Sequence, residues 1–99
     1  MLRSGKDYLA SLRDGRRIRF GKELVEDVTS HPAFRKTAQS FARLYDLKRS
    51  PENIAEMSYE LDGQRYSAWF KPPLSKADLQ HRAEAHRRVA QWSCGLLGR

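Results

Sequence analysis

A chain of 99 residues, 39% hydrophobic and with a mean hydropathy of −0.77, has room for one small domain with a modest core. Such a core cannot wall in a large cofactor and a substrate together, since ligand pockets are enclosed on most sides. The formal charge of +7 brings anionic partners into view, while a single cysteine, Cys94, excludes an intrachain disulfide and a cysteine-rich metal site.

Ser4 with Asp7 three residues later reads as a capping box, with aspartate in place of the usual Glu or Gln. Tyr8, Leu9 and Leu12 share one face of the short helix that follows, and Gly15 stops it. Ile18, Phe20, Leu24 and Val25 flank Gly21-Lys22 as a small hairpin, with Val28 closing its second arm. Thr29 or Ser30 then caps a helix with Pro32 in its first turn, where a missing N–H costs nothing. Phe34, Ala38, Phe41 and Tyr45 recur at helical spacing, Leu44 beside them, until Ser50-Pro51.

Met57, Tyr59 and Leu61 alternate with Ser58 and Glu60. Tyr66, Ala68 and Phe70 alternate with Ser67 and Trp69. Asp62-Gly63 between these arms predicts a type I′ hairpin, and Pro72-Pro73 ends the second arm. Ser75 with Asp78 opens the last helix, whose face reads Leu79, Ala83, His86 and Ala90, extended by Val89, Trp92 and Leu96. Gly95 and Gly98 leave its end soft, and the apolar run before Arg99 suggests that the sequence continues in its natural context. The expectation is a small, mostly helical α+β domain over residues 1–99, in the order helix, hairpin, helix, hairpin, helix. No apolar run of signal-peptide or membrane-span type is present, so a cytoplasmic protein without membrane attachment is expected.

Reactive constellations are hard to assemble from these residues. His81 and His86 are five apart, off the i, i+4 spacing that helical zinc motifs use, and His31 precedes a proline as a helix-entry residue. No metal site is expected. Ser4, Ser30, Ser50 and Ser75 have local roles at caps and turns, and Cys94 lies two turns from His86, out of its reach. The glycines are scattered, without a phosphate-loop pattern. The aromatic residues Phe34, Phe41, Tyr45, Tyr59, Tyr66, Trp69, Phe70 and Trp92 read as core rather than a base-stacking platform. Trp69 and Trp92 are the two that could pack against something outside the chain. Arg13, Arg16, Arg17, Arg19 and Lys22 against Asp14 read as a solvated basic face in preference to a nucleic-acid site. The residues by themselves leave the function open.

The string Ser4-Gly5-Lys6-Asp7-Tyr8-Leu9-Ala10-Ser11-Leu12-Arg13-Asp14-Gly15-Arg16 resembles the opening G-x-x-Y-L-x-S-L-x-D-G-R of the 4-hydroxyphenylacetate 3-monooxygenase oxygenase family. Val25 to Arg35 is similar to its V-x-D-V-T-x-H-P-A-F-R, and Ala38, Ser40, Ala42, Leu44, Tyr45 and Asp46 to A-x-S-x-A-x-L-Y-D. Ser75, Ala77-Asp78-Leu79, Arg82, Trp92-Ser93 and Gly98-Arg99 resemble the family's S-A-D-L…R…W-S…G-R. The likeness runs in order over essentially the whole chain. It implies the N-terminal segment of an acyl-CoA dehydrogenase-like architecture, followed by a β-barrel and a four-helix bundle.

The resemblance further implies a two-component monooxygenase that uses reduced FAD from a separate flavin reductase to ortho-hydroxylate a phenolic substrate to a catechol. A homo-oligomeric parent enzyme and no nucleic-acid partner are implied as well. Arg99 is the one residue of the substrate site that falls within the chain, its guanidinium bonding the phenolic oxygen. The isolated chain, lacking the remaining domains, is expected to be inactive and to hold no FAD. Gly21 stands where the family has an aromatic residue, Lys22 where its turn glycine sits, and Arg19 where a tyrosine is common. 4-Hydroxybutyryl-CoA dehydratase is a related branch with an iron–sulfur cluster, and the D-G-R and T-x-H-P-A-F strings favour the hydroxylase side. The alternative is a free-standing basic binding module, for nucleic acid or protein, that uses Arg13 to Lys22 with Arg82, Arg87 and Arg88.

Overall fold

In the computed structural model, which describes residues 2–95, both halves of the first capping box form. The Ser4 hydroxyl accepts from the Asp7 N–H at 3.1 Å, and the Asp7 carboxylate accepts from the Ser4 N–H at 3.2 Å. The helix so opened, α1 (Gly5–Ser11), ends four residues ahead of Gly15 and has only seven residues. So short a helix holds only by docking. It lies against α2 (Arg35–Arg49), which buries the small residues Ala38 and Ala42. Gly5 allows the close approach: a Cβ there would fall 2.4 Å from the Ala42 carbonyl oxygen. The Gly5 N–H also donates to Asp46 Oδ1 at 2.7 Å. Tyr8 stacks on Tyr45 with ring centroids 4.8 Å apart and leans on Phe41 at 6.3 Å. Burial, with Tyr45 second, pushes the Tyr8 phenol above its ordinary pKa.

Between these helices, β1 (Ile18–Phe20) and β2 (Glu23–Val25) pair antiparallel with Ile18 opposite Val25, and Gly21-Lys22 form the turn. Val25 is buried, whereas Phe20 and Leu24 stay exposed. The start of α2 differs from the sequence expectation. Neither Thr29 nor Ser30 caps it, and Pro32 lies ahead of it, because residues 28–34 form successive turns before the helix begins at Arg35.

Two compact units divide the chain: α1, the first hairpin and α2 as far as Asp46 make up Arg3–Asp46, and the second unit is built chiefly from Leu47 onward. There the Asn53 amide donates to the Leu47 carbonyl at 3.1 Å and to the Ser50 hydroxyl at 2.9 Å, closing the turn after α2. A one-turn helix, α3 (Ile54–Met57), follows and takes Met57 out of the expected strand into full burial. The hairpin of β3 (Ser58–Leu61) and β4 (Gln64–Ser67) pairs Tyr59 with Tyr66, and Asp62 and Gly63 have φ of 53° and 79°. Positive φ at both turn centres is what a type I′ hairpin requires.

β4 is shorter than the alternation of Tyr66, Ala68 and Phe70 implies. The Ser67 hydroxyl accepts from the Trp69 N–H at 3.3 Å and turns Ala68–Phe70 into a 3-10 turn, burying Ala68 and exposing Phe70. Then α4 (Lys76–Trp92) opens with the Ser75 hydroxyl accepting from the Asp78 N–H at 3.1 Å. Its inward residues are Ala85 and Val89; Leu79 and Ala83 face solvent. The apolar stripe is displaced because His81, one turn before Ala85, hydrogen-bonds inward. The expected order of helix, hairpin, helix, hairpin, helix is observed, with α3 and the 3-10 turn added. No helix among the described residues is long and apolar enough to cross a membrane.

Candidate functional site

In the first unit, the string from Asp27 to Arg35 builds a turn. The Asp27 carboxylate accepts from the Thr29 N–H at 2.9 Å and from the Thr29 hydroxyl at 2.6 Å, an Asx turn. Arg13 reaches across to Asp27 at 3.4 Å and to Thr29 at 3.1 Å. The Thr29 hydroxyl, ahead of the Thr29 N–H and Arg13, holds the Asp27 carboxyl below the usual carboxylate range. His31 Nδ1 accepts from the Ala33 N–H at 3.1 Å, which leaves the proton on Nε2, 3.1 Å from Glu23 Oε1. Phe20 meets the His31 ring at 6.1 Å and Phe34 at 5.5 Å, edge-on in both cases. Asp27, Thr29 and His31 thus have their side-chain polar groups engaged in or beside the turn that leads into α2.

A polar network in the second unit was not legible in the sequence. Glu56, on α3, pairs through its carboxylate with Arg88 of α4 at 2.9 Å, and its carbonyl receives His81 Nε2 at 2.8 Å. The other ring nitrogen of His81 faces Lys71 Nζ at 3.1 Å, and Lys71 also pairs with Asp78 at 3.1 Å. An ammonium facing Nδ1 and a carbonyl facing Nε2 suit a ring that accepts at Nδ1 and donates from Nε2. Lys71, with Ser75 helping, holds the Asp78 carboxyl below its ordinary range. Nearby, the Trp69 ring lies 4.2 Å from the His86 ring, and Lys48 Nζ sits 4.9 Å from its centroid, a cation–π contact. Burial pushes the Lys48 ammonium below the usual lysine value. With both ring nitrogens of His81 engaged, the network pins α3 and the 3-10 turn to α4 rather than offering a proton acceptor to a ligand. No three His, Cys, Asp or Glu side chains among the described residues are grouped to hold a metal ion.

The end of α4 is not soft. The Gly95 N–H reaches back to the Ala90 carbonyl at 2.7 Å and the Cys94 N–H to Gln91 at 3.3 Å, the paired bonds of a Schellman turn. Cys94 takes φ 54° and Gly95 φ 86°, the left-handed backbone that such a turn uses. Trp92 is half-buried and Cys94 exposed. Arg99, the substrate-site residue implied by the resemblance, lies outside the described residues, as do Leu96, Leu97 and Gly98. The structure therefore brings together no set of sequence-predicted site residues.

The described residues thus hold two helices with side-chain N-caps, two hairpins, two polar networks and a Schellman turn after α4. A family model described as 4-hydroxyphenylacetate 3-hydroxylase N terminal matches residues 4–99, and the chain belongs to that family. It is 35% identical to the 4-hydroxyphenylacetate 3-monooxygenase oxygenase component of Thermus thermophilus over 100% of this chain and 21% of that protein. It is 39% identical to the counterpart from Escherichia coli over 97% of this chain and 19% of that protein. The chain thus spans about a fifth of the length of these relatives. A crystal structure of an oxygenase component of 4-hydroxyphenylacetate 3-monooxygenase complexed with FAD and 4-hydroxyphenylacetate superposes with a TM-score of 0.91 at 35% identity, over 98% of this chain and 21% of the other. An archaeal 4-hydroxybutyryl-CoA dehydratase from N. maritimus superposes with a TM-score of 0.74 at 28% identity, over 92% of this chain and 18% of the other.

Proposed function

We propose that this chain is the N-terminal segment, residues 1–99, of the oxygenase component of a two-component, reduced-FAD-dependent monooxygenase that ortho-hydroxylates a phenol. The likeness to a relative solved with both FAD and 4-hydroxyphenylacetate carries this reading. On this reading Arg99 presents a guanidinium to the phenolic oxygen. A fixed positive charge there stabilises phenolate character as the ring is attacked.

The described residues do not suit FAD as a seat of their own. Their positive-φ glycines, Gly15, Gly21, Gly63 and Gly95, fall in four separate turns rather than one phosphate-cradling loop. No step through the flavin is derived from this chain.

A chimera tests the reading: residues 1–99 replace the matched N-terminal fifth of the Escherichia coli relative, and the product is assayed with a flavin reductase and 4-hydroxyphenylacetate or other phenols. Hydroxylation is expected, with Arg99→Ala lowering kcat about 10²–10³-fold, as for loss of one oxyanion-stabilising donor. A folded, FAD-binding chimera that hydroxylates no phenol would sink the reading. The 99-residue chain alone should show no submicromolar binding in an anaerobic titration with reduced FAD.

A further inference from the structure

Within one ten-residue stretch of the second unit, three large apolar side chains face solvent: Phe70 is 76% exposed, Leu74 87% and Leu79 56%. Single exposed leucines are ordinary on protein surfaces, but these three hang on one rigid frame. Ala68, fully buried, anchors the 3-10 turn that carries Phe70, and Trp69 beside it packs on His86 of α4. The ion pair of Lys71 with Asp78 ties the segment between Phe70 and Leu74 to the first turn of α4, which carries Leu79. Lys71 itself has φ −61° and ψ 127°, polyproline geometry that leads into Pro72-Pro73. An apolar strip held in this way loses little conformational entropy when it is covered. The ion pair neutralises Lys71 and Asp78 within the stretch, leaving Lys76 at its edge as the one charge between Phe70 and Leu79 without an ion pair among the described residues. Phe20 is a contrast: it is 54% exposed, yet its ring is already packed by His31 and Phe34.

We propose that Phe70, Leu74 and Leu79 form the docking strip of this segment for the portion of an oxygenase polypeptide that follows the matched residues. The proposal rests on the reading of the chain as an N-terminal segment. The occupant follows from length: about four fifths of the relatives' chains lie beyond the match, joined to it covalently. That tether gives the remaining polypeptide a high effective concentration at the strip.

Amide exchange and thermal unfolding of the 99-residue chain and of the chimera described above test this. Exchange across residues 70–79 should be slowed at least tenfold in the chimera relative to the 99-residue chain. Leu74→Asp should lower the unfolding midpoint of the chimera while leaving that of the 99-residue chain unchanged. Leu61→Asp, at a residue 53% exposed on the second hairpin, should leave both unchanged. Equal exchange in the two proteins, or a chimera indifferent to Leu74→Asp, overturns the docking strip. Hydroxylation by the unmutated chimera bears on the functional reading alone: an active chimera with an unprotected strip keeps that reading and loses this one. A protected strip in an inactive chimera does the reverse.

Discussion

At the scale of single residues, close approach and backbone sign set the tightest constraints. Gly5→Ala would place a methyl group 2.4 Å from the Ala42 carbonyl oxygen, and both atoms lie on packed helices. Overpacking of this kind costs about 1–3 kcal/mol, so a matching loss in a urea titration is expected. Cys94→Gly should have the opposite sign. Cys94 adopts φ 54°, a left-handed conformation in which a Cβ costs roughly 1–2 kcal/mol, and glycine removes that strain. The gain is partly offset because glycine is freer in the unfolded chain, so a small net stabilisation is expected in thermal unfolding, whereas Cys94→Val should lower the midpoint.

Asp27 adds a pH dependence. Its folded pKa is lowered, chiefly by the Thr29 hydroxyl, so its contribution is present above the unfolded aspartate value of about 4 and is lost as pH falls through the lower folded value. The stability gap between wild type and Asp27→Asn should therefore be widest near neutrality and close in acid, measured as urea midpoints from pH 7 to pH 2.5. A gap that is constant across that range would remove the carboxylate's role in the turn.

At the scale of elements, legibility followed the range of the signal. Ser4 with Asp7, Ser75 with Asp78, and Asp62-Gly63 each fix their turn within four residues of chain, and each forms as the sequence implies. The misreadings arose where a contact distant in sequence, or a local side-chain bond, overrode periodicity. Ser67 capping Trp69 cut β4 short, Asn53 closing on Leu47 added α3, and His81 bonding to the Glu56 carbonyl shifted the buried face of α4. His81 was set aside because histidines five apart do not share a helical face. Its companions on the inward face are Ala85 and Val89, four and eight residues on. Arg99 came from family resemblance alone, since nothing in its local pattern separates it from a solvated arginine. Loss of an N-cap hydroxyl costs about 1 kcal/mol, so Ser75→Ala should destabilise the second unit by that amount in chemical unfolding. An unchanged midpoint would mean that the packing of α4 holds without its cap.

At the scale of the whole molecule, the charge of +7 poses the question of a nucleic-acid partner most directly. Of the five cations between Arg13 and Lys22, Arg13 is engaged with Asp27 and Thr29, and Arg16 with Asp14. Arg16, by its hydrogen bonds, lowers the Asp14 pKa to about 2, so this carboxylate stays charged through the neutral range and keeps its partner occupied. Arg17, Arg19 and Lys22 make no ion pair among the described residues, but Arg19 lies on β1 opposite Leu24 and Lys22 sits in the turn beyond it. They form no single row along which a phosphate backbone would run. Phe20, the aromatic residue among them, packs against His31 and Phe34 rather than presenting a free face for a base. Duplex DNA should therefore bind no more tightly than the ~10⁻⁴–10⁻⁶ M of non-specific contacts at physiological salt. The expected log–log salt slope is shallow, since each phosphate neutralised contributes about −0.9 and few cations are available. Fluorescence anisotropy at 150 mM salt, repeated at several salt concentrations, measures both quantities. Nanomolar affinity with a preference among sequences would replace the oxygenase-segment reading with that of a basic binding module.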